Sequence, residues 1–557
     1  MLNNSGPPTY LGIRQVLRQA NQIQQIADPA PTVTAALHRL LLAMLHRSLN
    51  GPRSPAEWGA IWRAGTWDMA CIEAYLSRFH DRFDLFDATH PFYQATTPAE
   101  RTLSHVNQIS HQLASGRNPL LFDHSLPEHG MAPDAAARYL IAQQSFSVGG
   151  MFSINPGQSA ADKFSPGSPL LKSAVCLVTG NNLFETLMLN WHLYNREAEQ
   201  PFQFCGDDKP AWERDEPVTP TERRPDGWVD LLTWQCRCMR LQPAVSSDGS
   251  IIVTHAALMK GYFFPQAFDQ HQAETMVAYA VFKNPTAGNP WLPVGLNPNK
   301  AIWRDSHALF QSFDVDHSRP RTLNWLGTLV AEGQLRFEQR SKALPLQVFG
   351  IMPDQARIED WRTETLALPQ LFLDRPEIAE KATEILRREL EYAENMAHLL
   401  EPRLLNIPHK EKRLKVAGPS PIRILADELL SPGERDADTR AIGALGRHIS
   451  PVINYWAVLE EPFRTFLLAL ADDIYLNQFG DLAERGDAAR AWSEEIDRVT
   501  RRCFDEAVNG LANSGRALRA AALARQRFRL FSSRLSEAHT SLIPTAQEAV
   551  NGSSRAN

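Results

Sequence analysis

Cysteine is scarce: Cys71, Cys176, Cys205, Cys236, Cys238 and Cys503 are the six in 557 residues. Six are too few for a disulfide framework in a chain of this length. Cys236 and Cys238 form C-x-C with no second pair, which is not the spacing of a zinc knuckle. They read as alternate residues on the two faces of a strand. Long apolar runs are missing too. The most apolar stretches, LHRLLLAMLH and PFRTFLLALADDIYL, are broken by charge and too short to span a bilayer. No opening segment combines a basic start, an apolar middle and a small-residue cleavage site. The expectation is a cytoplasmic protein with no membrane partner. An excess of positive charge is absent, with 57 basic against 63 acidic residues and a net charge of −6. That excludes coating nucleic acid through bulk charge. It leaves room for a local basic patch, or for partner subunits that carry the positive charge.

Catalytic signatures are absent as well. There is no G-x4-G-K-S/T, no H-E-x-x-H, no G-x-S-x-G and no paired C-x-x-C. The VDH at 315–317 has no other metal-ligand spacing near it and reads as a solvated loop. The CGDD at 205–208 has no partner cluster and reads as a polar loop. The expectation is a protein that is not an enzyme and holds no metal and no cofactor.

What is present divides the chain in two. Residues 31–48, PTVTAALHRLLLAMLHRS, predict a buried helix with a proline near its start and almost no polar face. The interval 115–170 is rich in Gly, Pro, Asn and Ser but carries embedded apolar residues, which favours ordered functional loops. GWVDLLTWQCRCMRL and SIIVTHAALMKGYFF read as strands, and LFETLMLNWHLY as a helix. After residue 366 the texture changes. Ile378, Ala382, Ile385, Leu386, Leu390, Ala393, Met396 and Leu400 recur at three- and four-residue intervals, one stripe of a long amphipathic helix. Further helical segments follow at 435–448, 451–476, 484–510 and 513–537. The fold class expected is α+β. A large mixed α/β domain over 1–366 precedes a C-terminal four-helix bundle over 367–540 and a disordered tail over 541–557. On the last helix Arg516, Arg519, Arg527 and Arg534 share one arc with Leu523 and Leu530. That pattern reads as a solvated or interface face rather than a phosphate-facing stripe.

The stretch VFGIMPDQARIEDWRTE, 348–364, places a long amide at a turn. Its apolar run, 348–352, predicts a buried strand that Pro353 stops. Asp354 and Gln355 then sit at a turn tip, ahead of a polar, helix-prone run. Read locally, this is a strand-to-helix connection with Asp354 as helix cap. Elsewhere, Gly149 and Gly150 lie between Phe146 and Phe152, where paired glycines permit close backbone approach. RNPLLFDHS, 117–125, mixes apolar and polar residues in a loop.

Taken in order, a series of segments resembles the large-subunit (CasA) family of the type I-E CRISPR surveillance complex, Cascade. They are TAALHRLLLAMLHR, DRFDLFDATHPFYQ, GRNPLLFDHS, NNLFETLMLN, PAWERDEP, DLLTWQCRCMRL, WLPVGLNPNKAIWRDSHALF and VFGIMPDQA. They are colinear and cover nearly the whole chain. The resemblance implies a noncatalytic subunit that recognises the protospacer-adjacent motif (PAM) in duplex DNA and starts strand separation. It implies as partners the other Cascade subunits, the guide CRISPR RNA, double-stranded target DNA and a helicase–nuclease recruited on target binding. A scaffold without direct DNA reading is the alternative. The family's wedge, a glutamine at a hairpin tip, falls on Gln355, with Asp354 where some members carry another amide. The family's glycine loop falls on Val148, Gly149, Gly150 and Met151. No lysine stands at the position of the family's minor-groove lysine, near Thr254, and Lys260 is the nearest candidate. The loop that touches RNA-bearing subunits falls on Asn118, Leu121, Phe122, Asp123 and His124. The family's usual apolar opening, LL-x-x-PWIPV, is replaced here by MLNNSGPPTYLGIRQVL.

Overall fold

A computed structural model describes residues 2–3, 9–113, 130–194, 207–281, 290–311, 317–337, 343–354, 356–431, 439–476 and 486–541. The chain forms two compact units. One comprises residues 1–336, 344–368 and 373–375, and the other residues 337–343, 369–372 and 376–557. The first mixes helix and strand and the second is mainly helical, the α+β class expected from the sequence.

The first unit is organised around the Pro31–Leu49 helix. Proline at its first position costs no hydrogen bond, because that N–H has no partner inside a helix. Asn50, with φ 51°, ends it in the left-handed conformation. Residues 32–36 and 38–46 are all buried, as the missing polar face predicts. Against it pack the Pro133–Phe146, Leu183–Asn190 and Trp228–Leu232 helices. Arg39 and Glu274 meet within this core through two bonds of 2.8 and 3.0 Å. Three three-stranded sheets complete the unit. One joins Arg357–Pro369, Ala343–Asp354 and Val175–Val178; another joins Leu103–His105, Ile251–Lys260 and Arg237–Val245; the third joins Trp291–Pro293, Tyr279–Val281 and His317–Ser318. A two-residue strand, Leu2–Asn3, pairs antiparallel with Ile23–Gln25, although the family's usual opening motif is absent.

GWVDLLTWQCRCMRL was expected to be one strand. It is a helical turn, Trp228–Leu232, followed by the strand Arg237–Val245. The turn is nucleated by Asp208, whose buried carboxylate accepts from the Val229 and Asp230 amides at 3.0 and 2.8 Å. Asp208, expected in a polar loop, is therefore a buried helix cap; burial raises its pKa against the hydrogen bonds that lower it. Cys236 and Cys238 do not lie on two faces. Both side chains enter one core cluster with Trp234, Met259 and Tyr262, as a spacing of two residues requires.

The second unit contains four long helices, Pro376–Ala397, Val452–Leu476, Asp487–Asn509 and Gly515–Ser541. They pack on one another; the last also packs on the shorter Pro421–Leu429 helix, which in turn packs on Thr439–Ile449. On the first, Ala382, Leu386, Leu390, Ala393 and Met396 form the buried stripe; Ile378 and Ile385 are half-buried at its edge. Phe504 stacks on Phe528 and Phe466 on Trp492. The charged interval after the first helix folds as a hairpin, Leu404–Ile407 against Val416–Pro419. The strand Arg357–Pro369 runs through the expected boundary at residue 366. Apart from Ser541, the expected tail lies outside the described residues.

Candidate nucleic-acid interface

Two long strands, Ala343–Asp354 and Arg357–Pro369, form a hairpin with only residues 355 and 356 between them. Val348, Phe349, Ile351 and Met352 are buried, as the apolar run predicts. The strand does not stop at Pro353 but reaches Asp354. A proline is tolerated there because the neighbouring strand, Val175–Val178, pairs only as far as Phe349, so no ladder bond is lost on that side. The expected helix after residue 355 is a strand, and Asp354 is not a helix cap. The polar residues 357–364 favour a helix locally, but pairing to a buried strand decides the outcome. Glu359 and Asp360 face solvent while Ile358, Leu366 and Leu368 are buried. The hairpin is fastened partway along. Arg362 donates to the Asn297 carbonyl, and Glu364 accepts from the Ile302 amide at 2.8 Å. Asp354 and Arg357 are exposed on either side of the turn. Gln355 lies outside the described residues.

The glycine loop leaves the C-terminus of the Pro133–Phe146 helix. Gly150–Met151 pairs with Phe164–Ser165 as a two-stranded ribbon. Gly150 has φ 135°, a conformation L side chains rarely adopt. Gly149 is required for a different reason. A Cβ there would stand 2.9 Å from the Gly167 nitrogen and 3.1 Å from the Ser165 carbonyl. The close backbone approach at Gly149 is thus to the protein's own chain. Val148 is buried, whereas Met151 and its cross-strand neighbour Phe164 are 65% and 61% exposed.

Beneath this ribbon lies a residue that sequence reasoning missed. Arg237 is 1% exposed. Its Nε donates to Ser147 Oγ at 3.0 Å. One terminal nitrogen donates to Ser165 Oγ at 2.7 Å and the Cys236 carbonyl at 3.0 Å. The other donates to the Val148 and Pro166 carbonyls at 3.2 and 2.8 Å. The guanidinium lies over the Phe152 ring, 4.7 Å from its centroid. Burial lowers its pKa. Gln144 fixes the Arg237 backbone through both its amide and its carbonyl. Ser168 accepts from the Ser147 amide and donates to the Gln143 carbonyl. The available signal was an arginine flanked by cysteines within an apolar, strand-forming run.

Lys260 ends the strand paired with Arg237–Val245, directly opposite Arg237. Its ammonium sits 4.2 Å from the Phe263 ring centroid. Thr254 falls at the bulge of that strand pair, between Val253 and His255. Val148, Gly149, Gly150, Met151 and Lys260 therefore gather around Arg237, while Asp354 belongs to a separate sheet. The loop with Asn118, Leu121, Phe122, Asp123 and His124 lies outside the described residues.

On the last helix, the predicted arginine arc is engaged within its own unit. Arg519 pairs with Glu428 at 3.6 Å, and Arg516 and Arg534 donate to the Leu429 and Lys415 carbonyls. A buried Ser493, His539 and Glu389 also meet there. His539 uses one nitrogen, Nε2, for both partners, at 3.4 and 3.2 Å. A relay from acid through imidazole to nucleophile needs two different ring nitrogens, so this arrangement is a packed polar cluster. Among the described residues no group of three His, Cys, Asp or Glu side chains could hold a metal ion, and no helix is long and apolar enough to cross a membrane.

The profile of the CRISPR-associated protein Cse1 family matches residues 1–503. CRISPR-associated protein CasA/Cse1 of Thermus thermophilus is 29% identical over 546 residues, covering 94% of this chain and 93% of the relative. The structure is similar to that of Acidimicrobium ferrooxidans Cse1, with a TM-score of 0.73, 24% identity and 97% of each chain covered. Thermobifida fusca Cse1 gives a TM-score of 0.74 at 24% identity, covering 97% of this chain and 96% of that one. A chain of a CRISPR RNA-guided surveillance complex gives a TM-score of 0.68 at 22% identity, covering 94% and 96%.

Proposed function

The chain belongs to the CRISPR-associated protein Cse1 family, and on that premise we propose that it is the noncatalytic large subunit of a type I-E RNA-guided surveillance complex. In this reading it works beside the other Cascade subunits and the guide RNA. It reads the PAM in duplex DNA, opens the first base pairs and presents a platform to a helicase–nuclease. The observation that carries the reading is the hairpin Ala343–Asp354 and Arg357–Pro369, two long strands with only two residues of sequence between them, the first of which is Gln355. A wedge must be rigid, and this one is gripped by a third strand and by Arg362 and Glu364. Unstacking costs about a few kcal/mol per step, which pairing to the guide RNA offsets. The ribbon at 150–151 and 164–165 supplies the second contact. Its exposed edge carries glycine and apolar side chains, suited to a groove whose hydrogen-bond pattern is degenerate. The net charge of −6 fits a subunit whose neighbours make most phosphate contacts.

The scaffold reading draws on Lys260, whose ammonium lies against Phe263, and on the acidic hairpin tip. One experiment separates the two. The guide RNA complex is assembled with and without this subunit, and binding is measured on duplexes that differ only in the PAM, at one stated salt concentration. The wedge reading expects the subunit to restore PAM-dependent binding. It also expects Gln355→Ala to slow strand opening more than it weakens PAM-independent binding. Binding that ignores the PAM would favour the scaffold.

A further inference from the structure

Arg237 is costly where it stands. A buried guanidinium without a carboxylate among its hydrogen-bond partners carries an uncompensated desolvation penalty. A methionine would occupy similar space without that cost. What the guanidinium supplies is donors. The carbonyls of Val148, Pro166 and Cys236 and the hydroxyls of Ser147 and Ser165 all converge on it. Backbone pairing meets only part of this group: the Gly261 amide also reaches the Cys236 carbonyl at 3.0 Å, but the ribbon's own ladder is confined to Gly150–Met151 and Phe164–Ser165, and Pro166 has no amide hydrogen to exchange. One planar fork with five donors meets the group at once.

The bracing has a direction. Ser147, Val148 and Ser165, which bond the guanidinium, are buried, while Met151 and Phe164 stand exposed. We propose that Arg237 is a positioning residue for duplex recognition: its fork locks residues 147–151 against residues 164–168, so that Gly150, Met151 and Phe164 meet the minor groove of DNA as an edge of fixed shape. The proposal rests on the reading of residues 148–151 as a duplex contact, and it adds Phe164 to that contact. A pre-ordered edge loses little entropy on binding, so shape differences between grooves are felt as affinity differences.

The test uses the complete complex carrying Arg237→Lys, or Ser147→Ala with Ser165→Ala. Lysine keeps the charge but replaces the fixed fork with three rotatable donors. The serine pair removes two acceptors and leaves Arg237 itself in place, which covers the case of an Arg237 variant that fails to fold. Hydrogen exchange is read at the amides of Phe152, Ser168 and Leu170, which bond the carbonyls of Lys163, Ser147 and Ser145 at 2.7, 2.9 and 3.1 Å. Duplex affinity is read at fixed salt on two targets that differ only in the PAM. The expected result is exchange faster by about tenfold at these amides, with a loss of about tenfold in the affinity ratio of the two targets. Affinity for the target without a PAM should stay within about twofold. A merely structural role would lower both affinities together and leave their ratio intact. Unchanged exchange in both variants overturns the proposal. So does faster exchange with an unchanged ratio, if Met151→Glu still weakens duplex binding. If Met151→Glu is also silent, the loop does not touch the duplex, and the underlying reading falls first.

Discussion

Asp354 stands exposed one residue before Gln355, and Glu359 and Asp360 are exposed on the returning strand. If the hairpin acts as the proposed wedge, the Asp354 carboxylate repels the phosphates it approaches, while Arg357 on the other side of the turn attracts them. At about 4 Å in water that repulsion is worth about 1 kcal/mol, and salt screens it. Asp354→Asn is therefore expected to tighten duplex binding about threefold at low salt, with the gain shrinking as salt rises. Titrations at two salt concentrations check this, and a gain independent of salt would point to a direct base contact instead. Gly149 makes a different prediction. Because a Cβ there meets backbone atoms of residues 165–167 rather than a yielding side chain, Gly149→Ala should destabilise the first unit by about 1–3 kcal/mol. Local hydrogen exchange over residues 147–168, with no DNA present, reads that cost. The paired glycines were visible in the sequence. The reason for Gly149 was not, since the atoms it avoids lie sixteen and more residues later in the chain.

Among the secondary-structure elements, the hairpin at 343–369 was half legible. Its first strand follows from the apolar run. Its second was read as a helix because local propensity is all that a polar segment shows, and a partner strand outweighs it. The long helices were legible throughout, because a stripe of period 3.6 needs no knowledge of the partner. What the stripe does not reveal is the polar cluster inside the second unit. Glu389, fully buried on the Pro376–Ala397 helix, accepts from Ser493 at 2.7 Å and meets His539 at 3.2 Å. Tyr392 stacks on His539 at 4.1 Å. Glu389→Ala should remove the carboxylate that both the serine and the histidine meet, leaving Ser493 its bond to the Ala489 carbonyl, and destabilise the second unit by about 3 kcal/mol. Exchange should rise across residues 376–541 and stay unchanged across 147–171. A rise in both places would mean that the loss is not confined to the second unit.

At the scale of the whole molecule, acid should act on the first unit through its buried histidines. Burial holds His38, His46 and His111 at a pKa of about 4 and His192 at about 3, below the ordinary 6.5. The Nδ1–H groups of His38 and His46 donate to the Thr34 and Gly51 carbonyls at 2.8 and 3.0 Å. Between the folded and unfolded pKa values, the unfolded chain binds more protons, so stability rises with pH there. The stabilisation is complete above pH 6.5 and is lost as pH falls to about 4 for His38, His46 and His111 and to about 3 for His192, on the order of 3 kcal/mol for each of the first three and more for the last. The urea midpoint of the first unit should be level above neutrality and fall across that window. A level midpoint down to pH 4 would mean that these rings are solvated.

The sequence by itself determined the α+β class, the buried helix at 31–49, the long helices after residue 376 and, through motifs in a fixed order, the family. Each rests on a local period or on local identity, which survives without knowledge of the fold. Only the tertiary structure decided that residues 357–369 are a strand and that Asp208 caps a helix. It alone brought Arg237 beneath a loop ninety residues earlier in the chain. The physical reason is common to all three. A buried polar group must find its partners in space, and a strand takes its identity from the neighbour it pairs with.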